Sequence, residues 1–245
     1  MSAKTDKYGA NLSEVYEKYG DKSGIKNGKY APRHPSRIMI AGPSGCRKTT
    51  TLVNMLMPRD EDIEMKFTKL YICAKDPEEP LYKHIRDTFE KFQELADEAL
   101  YQTGQEPDTP YLYFTTDPQD VDVNELDRDE RNIIVYDDCM LDLVGQHGKK
   151  MNEFYMRGRK ANASMVFITQ DAFAKDLKFI RSQCDYLILF NPGSAANIRL
   201  LVQELGIDGE KFMAIAKEAW NNKGFVFVDK NNLTNELGIR NGFYP

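Results

Sequence analysis

Short runs of consecutive apolar residues recur along the chain, separated by longer segments with helical periodicity. Such runs, with no polar alternation, are typical of parallel strands that are buried on both faces of a sheet. Alternation of these strands with helices predicts an α/β fold, with a mainly parallel sheet flanked by helices. The predicted strands cover residues 38–41, 69–74, 111–115, 133–136, 165–168 and 185–192.

The segments between these runs predict helices and one further strand. Residues 81–101 carry apolar side chains on one helical face, and residues 198–205 and 211–220 predict two helices joined by a turn at 206–209. Residues 224–229 alternate between apolar and polar side chains, which predicts an antiparallel strand at the edge of the sheet. Residues 117–131 are acidic and polar and predict a surface connection.

The first predicted strand leads into a loop and then a helix, the context that a phosphate-binding loop of the form G-x-x-x-x-G-K-[ST] requires. Small residues let backbone N–H groups turn inward around phosphates, and the start of the helix adds unpaired N–H groups and the positive end of its dipole. Lys48 is predicted to reach the outer phosphates, and the hydroxyl of Thr49 to bind Mg²⁺. The predicted nucleotide-binding residues are Gly42, Pro43, Ser44, Gly45, Cys46, Arg47, Lys48, Thr49 and Thr50.

Arg47 is the one departure from the loop pattern, which has glycine at this position. Either the loop relaxes so that Arg47 points outward, or Arg47 approaches the phosphates as an extra cation. We favour the outward orientation because the backbone N–H group is retained. The alternative to a phosphate loop is an ordinary Gly-Pro-Ser turn before a helix with a surface lysine.

Two carboxylates follow the apolar run at 133–136, and a polar pair follows the run at 165–168. Side chains at the carboxyl ends of parallel strands point into the crevice where ligands bind. Asp137 is predicted to hold Mg²⁺ through water, and Asp138 to accept a proton from the attacking water or to orient it. Gln170 is predicted to sense the γ-phosphate or position water. The alternatives are that the two carboxylates only end a strand at a turn, as Asp often does, and that Gln170 caps the following loop.

Arginines and lysines precede the run at 165–168, in the segment 156–162. This cluster is either a solvated helix end, which the helix dipole favours, or a source of an arginine for the nucleotide of a neighbouring subunit. Residues 145–150 contain two glycines followed by Lys149 and Lys150, which predicts a flexible, cationic loop suited to contact DNA without base specificity. A solvated connecting loop is the alternative.

Composition limits the partners and the compartment of this 245-residue chain. The formal net charge is −5, so any contact with nucleic acid must come from a local cationic surface. The 4 cysteines are widely separated, which argues against a zinc site and a disulfide framework and favours a reducing intracellular compartment. The N-terminus is polar, and no apolar run approaches the roughly 20 residues that span a bilayer, so neither a signal peptide nor a membrane segment is predicted.

We divide the chain into a basic, polar N-terminal arm at residues 1–36 and an ATPase domain at residues 37–245. Within the arm, apolar side chains at Tyr8, Leu12, Val15, Tyr16 and Tyr19 have the spacing of one short amphipathic helix. The arm is either a solvated segment or one that clasps a neighbouring subunit or nucleic acid.

In order and spacing, the GPSG loop with its Lys-Thr pair, IIVYDD, GRKANAS and FITQ resemble the FtsK/HerA-like genome-packaging ATPases of double-stranded DNA viruses with double-jelly-roll capsids. That group includes the packaging ATPases of poxviruses, virophages and polinton-like viruses. The resemblance covers roughly residues 35–229. It implies a RecA-like P-loop NTPase core and a homo-oligomeric, usually hexameric, ring that uses ATP and Mg²⁺ to move double-stranded DNA into a capsid. Capsid or portal-vertex proteins are then partners, in the cytoplasm or nucleus of the host or in the virion.

The resemblance also assigns roles to individual residues. Lys48 and Thr49 match the phosphate and magnesium positions, Asp137 the metal carboxylate, Asp138 the acidic catalytic residue and Gln170 the polar sensor. Arg159, and less surely Arg157, stands where a ring ATPase keeps an arginine that acts on the neighbouring subunit. Two other functions stay open: a nucleotide-binding structural subunit with weak turnover, suggested by Arg47, and a P-loop phosphotransferase. No second substrate lid with clustered arginines is evident for the latter.

Overall fold

A computed structural model of the chain describes residues 25–104, 110–143 and 146–245. The predicted amphipathic helix within residues 1–24 lies outside the described residues, as does Gly145 of the predicted loop at 145–150.

The described residues form one eight-stranded sheet with the order β3-β2-β4-β5-β1-β6-β7-β8. The first six strands of the chain pair in parallel, and β7 and β8 extend the sheet in antiparallel fashion. The predicted α/β fold with a mainly parallel sheet is therefore confirmed. The strands are β1 (Arg37–Ala41), β2 (Lys69–Ala74), β3 (Tyr111–Thr115), β4 (Asn132–Asp137), β5 (Ala163–Thr169), β6 (Tyr186–Leu189), β7 (Val226–Asp229) and β8 (Ile239–Asn241).

The antiparallel extension is larger than predicted. The expected edge strand, β7, pairs with β6 on one side and with β8 on the other, so it is not an edge strand. The sequence of β8 gives little signal because the strand has only three residues, two of which are polar. Arg240 is nevertheless buried, since its guanidinium lies 4.2 Å from the ring centroid of Phe227 and donates to the carbonyl of Phe243.

Helices cover both faces of the sheet, as the strand pattern predicts. Ile38 and Ile40 of β1 pack on one face, and Met39 and Ala41 on the other, because successive side chains of a strand point in opposite directions. The first face is covered by α1 and α2, and the second by α3, α4, α5 and α6. The helices are α1 (Lys48–Leu56), α2 (Pro80–Thr103), α3 (Gln146–Arg157), α4 (Lys178–Gln183), α5 (Ala195–Leu205) and α6 (Gly209–Asn221).

The prediction of a flexible loop at 145–150 is wrong from Gln146 onward, where α3 begins. Gly148 is buried, and a Cβ atom there would lie 1.9 Å from the carbonyl oxygen of Leu143. This glycine therefore permits close packing and does not give the segment flexibility. Lys150 is held by the carbonyl of Gln119 at 2.9 Å and by the carboxylate of Asp122 at 3.6 Å, whereas Lys149 is exposed.

Residues 25–36, the described part of the predicted arm, contact the sheet and its connections. The side chain of Asn27 accepts hydrogen bonds from the guanidinium of Arg131 at 2.7 Å and from the backbone N–H of Lys66 at 3.1 Å. The backbone N–H of Ser36 donates to the hydroxyl of Ser164 at 3.0 Å. The domain boundary at residue 36 stays a prediction.

Among the described residues, no helix combines the length and the apolar character needed to cross a bilayer.

Candidate nucleotide-binding site

A cleft of about 560 Å³ lies at the carboxyl ends of β1, β2, β4 and β5. Since the carboxyl ends of parallel strands meet at one edge of the sheet, side chains that are far apart in sequence converge there. Lys48, Thr49, Asp137, Asp138 and Gln170, all predicted from the sequence, line this cleft. The complete lining is Ser44, Gly45, Arg47, Lys48, Thr49, Thr50, Lys75, Asp76, Glu79, Leu81, Tyr82, Asp137, Asp138, Thr169 and Gln170.

The phosphate loop runs from the end of β1 to the start of α1. Gly45 has a φ of 73°, a left-handed conformation that glycine adopts without the steric cost that other residues pay. The ammonium of Lys48 folds back over the loop and donates to the carbonyl oxygens of Gly42 at 2.8 Å and Pro43 at 2.9 Å. The loop therefore keeps a cation directly above its backbone, at the start of a helix whose first N–H groups point into the cleft.

Arg47 occupies the position before α1 with φ 77° and ψ 29°, again left-handed. Its side chain is exposed and lines the cleft, and it makes no hydrogen bond with any residue that the structure describes. The glycine of the loop pattern thus corresponds to a left-handed backbone at this position, which this chain adopts with an arginine. A left-handed conformation costs such a residue about 1–2 kcal/mol.

We expect Arg47→Gly to stabilise the nucleotide-free protein relative to Arg47→Ala by about 1 kcal/mol, because alanine retains the left-handed strain and glycine removes it. Both variants lose the guanidinium, so the pair isolates the backbone effect from the charge. Chemical denaturation of the two variants measures the difference in the free energy of unfolding. Equal stability of the two variants would show that the loop does not hold residue 47 in this conformation.

Asp137 ends β4 at the back of the cleft and accepts a hydrogen bond from the hydroxyl of Tyr82. The pKa of Asp137 is raised to about 6, mainly by burial and also by the carboxylates of Glu79 and Asp138, whereas the Tyr82 bond and the ammonium of Lys48 oppose the rise. A carboxylate held in this way is costly without a bound cation. The negative charge of Asp137 is therefore unfavourable in the cleft by itself, and a bound metal ion or another cation would stabilise it.

The raised pKa of Asp137 predicts a pH-dependent gain in stability from Asp137→Asn in the absence of nucleotide and metal. The pKa is about 6 in the folded chain and about 3.9 when unfolded, so the folded state binds more protons between these values. The free energy of unfolding of the wild type therefore decreases as pH rises from about 4 to about 6, because the folded state loses the proton that it binds more tightly than the unfolded state does. Asparagine has no such titration and can still accept the Tyr82 hydrogen bond.

The stability advantage of Asp137→Asn over the wild type is therefore expected to grow across that pH range and to level off at about 1–3 kcal/mol above it. Urea denaturation of both proteins in chelator-treated buffers gives this difference. An advantage that does not change with pH, or a less stable variant, would contradict the assignment of a half-buried, poorly solvated carboxylate.

Asp138 and Gln170 follow β4 and β5, which are adjacent parallel strands, as the sequence predicts. Asp138 has a left-handed φ of 55°, and its backbone N–H donates to the carbonyl oxygen of Ile168 at 3.3 Å. Both side chains are exposed to the cleft. The site thus presents two polar groups with solvent access beside the half-buried Asp137.

Arg159 lies outside this cleft, in the short 3₁₀ turn Gly158–Ala161 that precedes β5. β5 has seven residues, a length of about 20 Å, and Gln170 follows its far end. Arg159 approaches Asp185 only to 4.0 Å, and 57% of its side-chain surface is exposed. Arg157 is engaged by Glu153 and by the side-chain oxygen of Asn124 at 2.9 Å. An exposed arginine at the amino ends of the strands can act on a nucleotide only in another subunit.

Residues after β2 complete the cleft, and the sequence prediction missed them. Glu79 approaches the hydroxyl of Thr49 to 3.5 Å, and Lys75 forms an ion pair with Asp142 at 3.0 Å. Tyr82, which donates a hydrogen bond to Asp137, lies on the buried face of α2, the face that the apolar pattern of residues 81–101 predicted. The available signal was the same as at β4: carboxylates in KDPEEP directly follow a buried strand.

No protein-family model and no curated protein matches the sequence. Among solved structures, the genome packaging NTPase B204 from Sulfolobus turreted icosahedral virus 2, in complex with sulfate, is similar with a TM-score of 0.51 at 13% identity, over 84% of this chain and 96% of that one. B204 in complex with ATP-gammaS has a TM-score of 0.49 at 13% identity, over 86% and 98% of the two chains. The pCW3 conjugation coupling protein TcpA has a TM-score of 0.42 at 14% identity, over 78% and 56%.

At such low identity the likeness to the sulfate complex of B204 concerns the fold, and the looser likenesses add nothing to it. The chain thus shares the fold of that structure, a mainly parallel sheet flanked by helices with C-terminal antiparallel strands. The resemblance to FtsK/HerA-type packaging ATPases that the sequence predicts is confirmed at the level of this fold.

Proposed function

We propose that the protein is an ATP-hydrolysing translocase of double-stranded DNA that packages a viral genome into a capsid. One observation carries the proposal: a phosphate loop, a half-buried carboxylate and two polar groups, predicted from three separate stretches of sequence, line one cleft. This combination suits a nucleoside triphosphate, with the phosphates on the loop and the γ-phosphate towards β4 and β5.

Each residue has a defined task with ATP as substrate. Lys48 exchanges its two carbonyl partners for the outer phosphate oxygens, where charge-assisted hydrogen bonds are stronger. The oxygen donors of Thr49 and Asp137 are the ligand type that Mg²⁺ prefers, and the ion would supply charge neutralisation at the phosphates. Asp138 and Gln170 orient the attacking water at the γ-phosphate.

Two observations support a DNA-packaging function beyond ATP hydrolysis. B204, which shares the fold, is described as a genome packaging NTPase. The exposed position of Arg159, remote from the cleft of its own chain, suits a ring in which each subunit completes the site of its neighbour. We therefore propose a homo-oligomeric ring, hexameric by family resemblance, that acts on double-stranded DNA and docks on capsid or portal-vertex proteins inside the host cell.

Lys149 is the proposed DNA contact, since it is exposed on the first turns of α3, whereas Lys150 is held by Asp122 and Gln119. Repeated around a ring, one lysine per subunit forms a cationic band despite the net charge of −5. Such a band neutralises DNA phosphates and releases counterions, without base specificity.

We expect Lys149→Ala to weaken binding of unrelated DNA duplexes to a similar extent and to reduce the slope of log affinity against log salt by about 1 for each contacting subunit. Lys150→Ala is the matched control, because its ammonium is already paired, and should leave the slope unchanged. Fluorescence anisotropy over a range of salt concentrations measures both. Wild-type affinity and slope in Lys149→Ala would mean that DNA is held elsewhere, with the basic segment 22–37 as the next candidate.

The strained conformation of Arg47 favours a second function, a nucleotide-binding structural subunit with little turnover. Such a subunit binds ATP with the same loop but does not hydrolyse it faster when DNA is present. Measurement of ATP binding and of DNA-dependent hydrolysis on the same preparation separates the two functions.

A further inference from the structure

The segment between β2 and α2 places a glutamate in the cleft, on a side that neither the phosphate loop nor β4 lines. β2 pairs with β4 so that Ala74 lies opposite Asp137, and the chain that follows β2 continues past the carboxylate site. Glu79 lies on this segment and lines the cleft, and its Oε2 atom is 3.5 Å from the Oγ1 atom of Thr49.

The backbone around Glu79 fixes this position. Glu79 is the N-cap residue of α2, and its carbonyl oxygen accepts from the N–H groups of Tyr82 at 3.0 Å and Lys83 at 3.1 Å. Its N–H in turn donates to the carbonyl of Asp76 at 3.4 Å. The Glu79 side chain makes no hydrogen bond to the start of its own helix among the described residues and approaches Thr49 instead.

The neighbouring carboxylate Asp138 is less well suited to receive a proton from the water. It is exposed, and it begins a turn in a left-handed conformation directly after β4. Its side chain is one methylene shorter than that of a glutamate. Glu79 is only partly exposed and is anchored by a helix start, so its carboxylate is held with less freedom beside the phosphate-loop threonine.

We propose that Glu79 is the catalytic residue that accepts the proton of the attacking water, and that Asp138 orients this water together with Gln170. The inference rests on the proposed ATPase function. In the step, the water oxygen forms a bond to the γ-phosphorus while the bond from phosphorus to the β–γ bridging oxygen breaks. The electron pair of that bond stays with ADP, the proton passes from water to the Glu79 carboxylate, and inorganic phosphate leaves before the proton returns to solvent.

Glu79→Gln tests this role, because glutamine keeps the shape and the contact with Thr49 but is a very poor proton acceptor. In the full-length protein with duplex DNA, we expect kcat to fall by about 10²–10³-fold while the Kd for ATP stays within about two-fold of wild type. Glu79→Asp retains a carboxylate and should recover part of the loss, which a merely structural glutamate would not produce. The thermal midpoint of both variants should match that of wild type.

Glu78→Gln is the matched control, since Glu78 is an adjacent glutamate that pairs on the surface with Lys83 at 2.7 Å and Arg86 at 3.5 Å. Its kcat should stay within about two-fold of wild type. A Glu79→Gln protein with kcat within about three-fold of wild type, or one that loses ATP affinity as much as rate, would overturn the proposal. If the wild type itself binds ATP without hydrolysing it, the proposed ATPase function fails, and the role of Glu79 fails with it.

Discussion

Replacement of Lys48 by alanine is expected to weaken ATP binding by roughly 100-fold and to reduce hydrolysis below detection. The ammonium now bonds to the carbonyl oxygens of Gly42 and Pro43, and its position over the loop is the one that the outer phosphates require. No other cation of the described residues stands above the loop backbone in this way. Fluorescent-nucleotide titration and a phosphate-release assay measure the two effects.

Lys75→Ala is the matched control for this prediction, because Lys75 also lines the cleft with an ammonium group. That group is committed to Asp142 at 3.0 Å and to the carbonyl of Thr116 at 3.0 Å. Its loss should change ATP affinity by less than about five-fold. Equal losses in the two variants would show that ATP responds to the total charge of the cleft, and the phosphate-loop assignment would then be wrong.

Arg159→Ala is expected to reduce ATP hydrolysis by about 10³-fold while ATP affinity stays close to that of wild type. An arginine supplied to a neighbouring site stabilises charge that develops only in the transition state. Stability should change little, since the contact with Asp185 is 4.0 Å long and exposed and Arg37 holds the same carboxylate at 3.1 Å. Lys160→Ala, which removes the adjacent exposed cation, is the control and should retain wild-type hydrolysis.

Mixing tests the action between subunits directly. In rings that contain both Arg159→Ala and Lys48→Ala subunits, some interfaces combine an intact phosphate loop with an intact Arg159. Activity should therefore reappear on mixing two inactive proteins. If native mass spectrometry shows mixed rings and hydrolysis stays absent at every ratio, Arg159 does not act on the neighbouring nucleotide.

Most of the parallel part of the fold was predictable because its central strands are buried on both faces, whereas β3 lies at the edge of the sheet and is partly exposed. A buried strand such as β5 has no polar alternation, so its sequence identifies it without knowledge of its neighbours. The short strand β8 and the start of α3 were not predictable in this way. β8 is stabilised by Arg240, whose burial depends on the ring of Phe227 in β7 and on the carbonyl of the nearby Phe243. The glycine at 148 suggested flexibility, but it reflects a close contact with Leu143.

The sequence predicted those site residues that lie in a single strand–loop–helix unit or at the end of a single strand. Lys48 and Asp137 are of this kind, and both line the cleft. Glu79 and Tyr82 were missed because their roles depend on the pairing of β2 with β4, which sequence order does not reveal. The sequence identified Arg47 as a departure from the loop pattern, but the left-handed backbone at that position is a finding of the structure.

DNA-dependent ATP hydrolysis by the purified full-length protein tests the central claim most directly. Phosphate release is followed with ATP and Mg²⁺, with and without double-stranded DNA, and with Lys48→Ala as the background. The account predicts hydrolysis that rises by at least about ten-fold when duplex DNA of any sequence is added, and that Lys48→Ala abolishes. ATP binding without hydrolysis at any DNA concentration would contradict it and would leave a nucleotide-binding structural subunit.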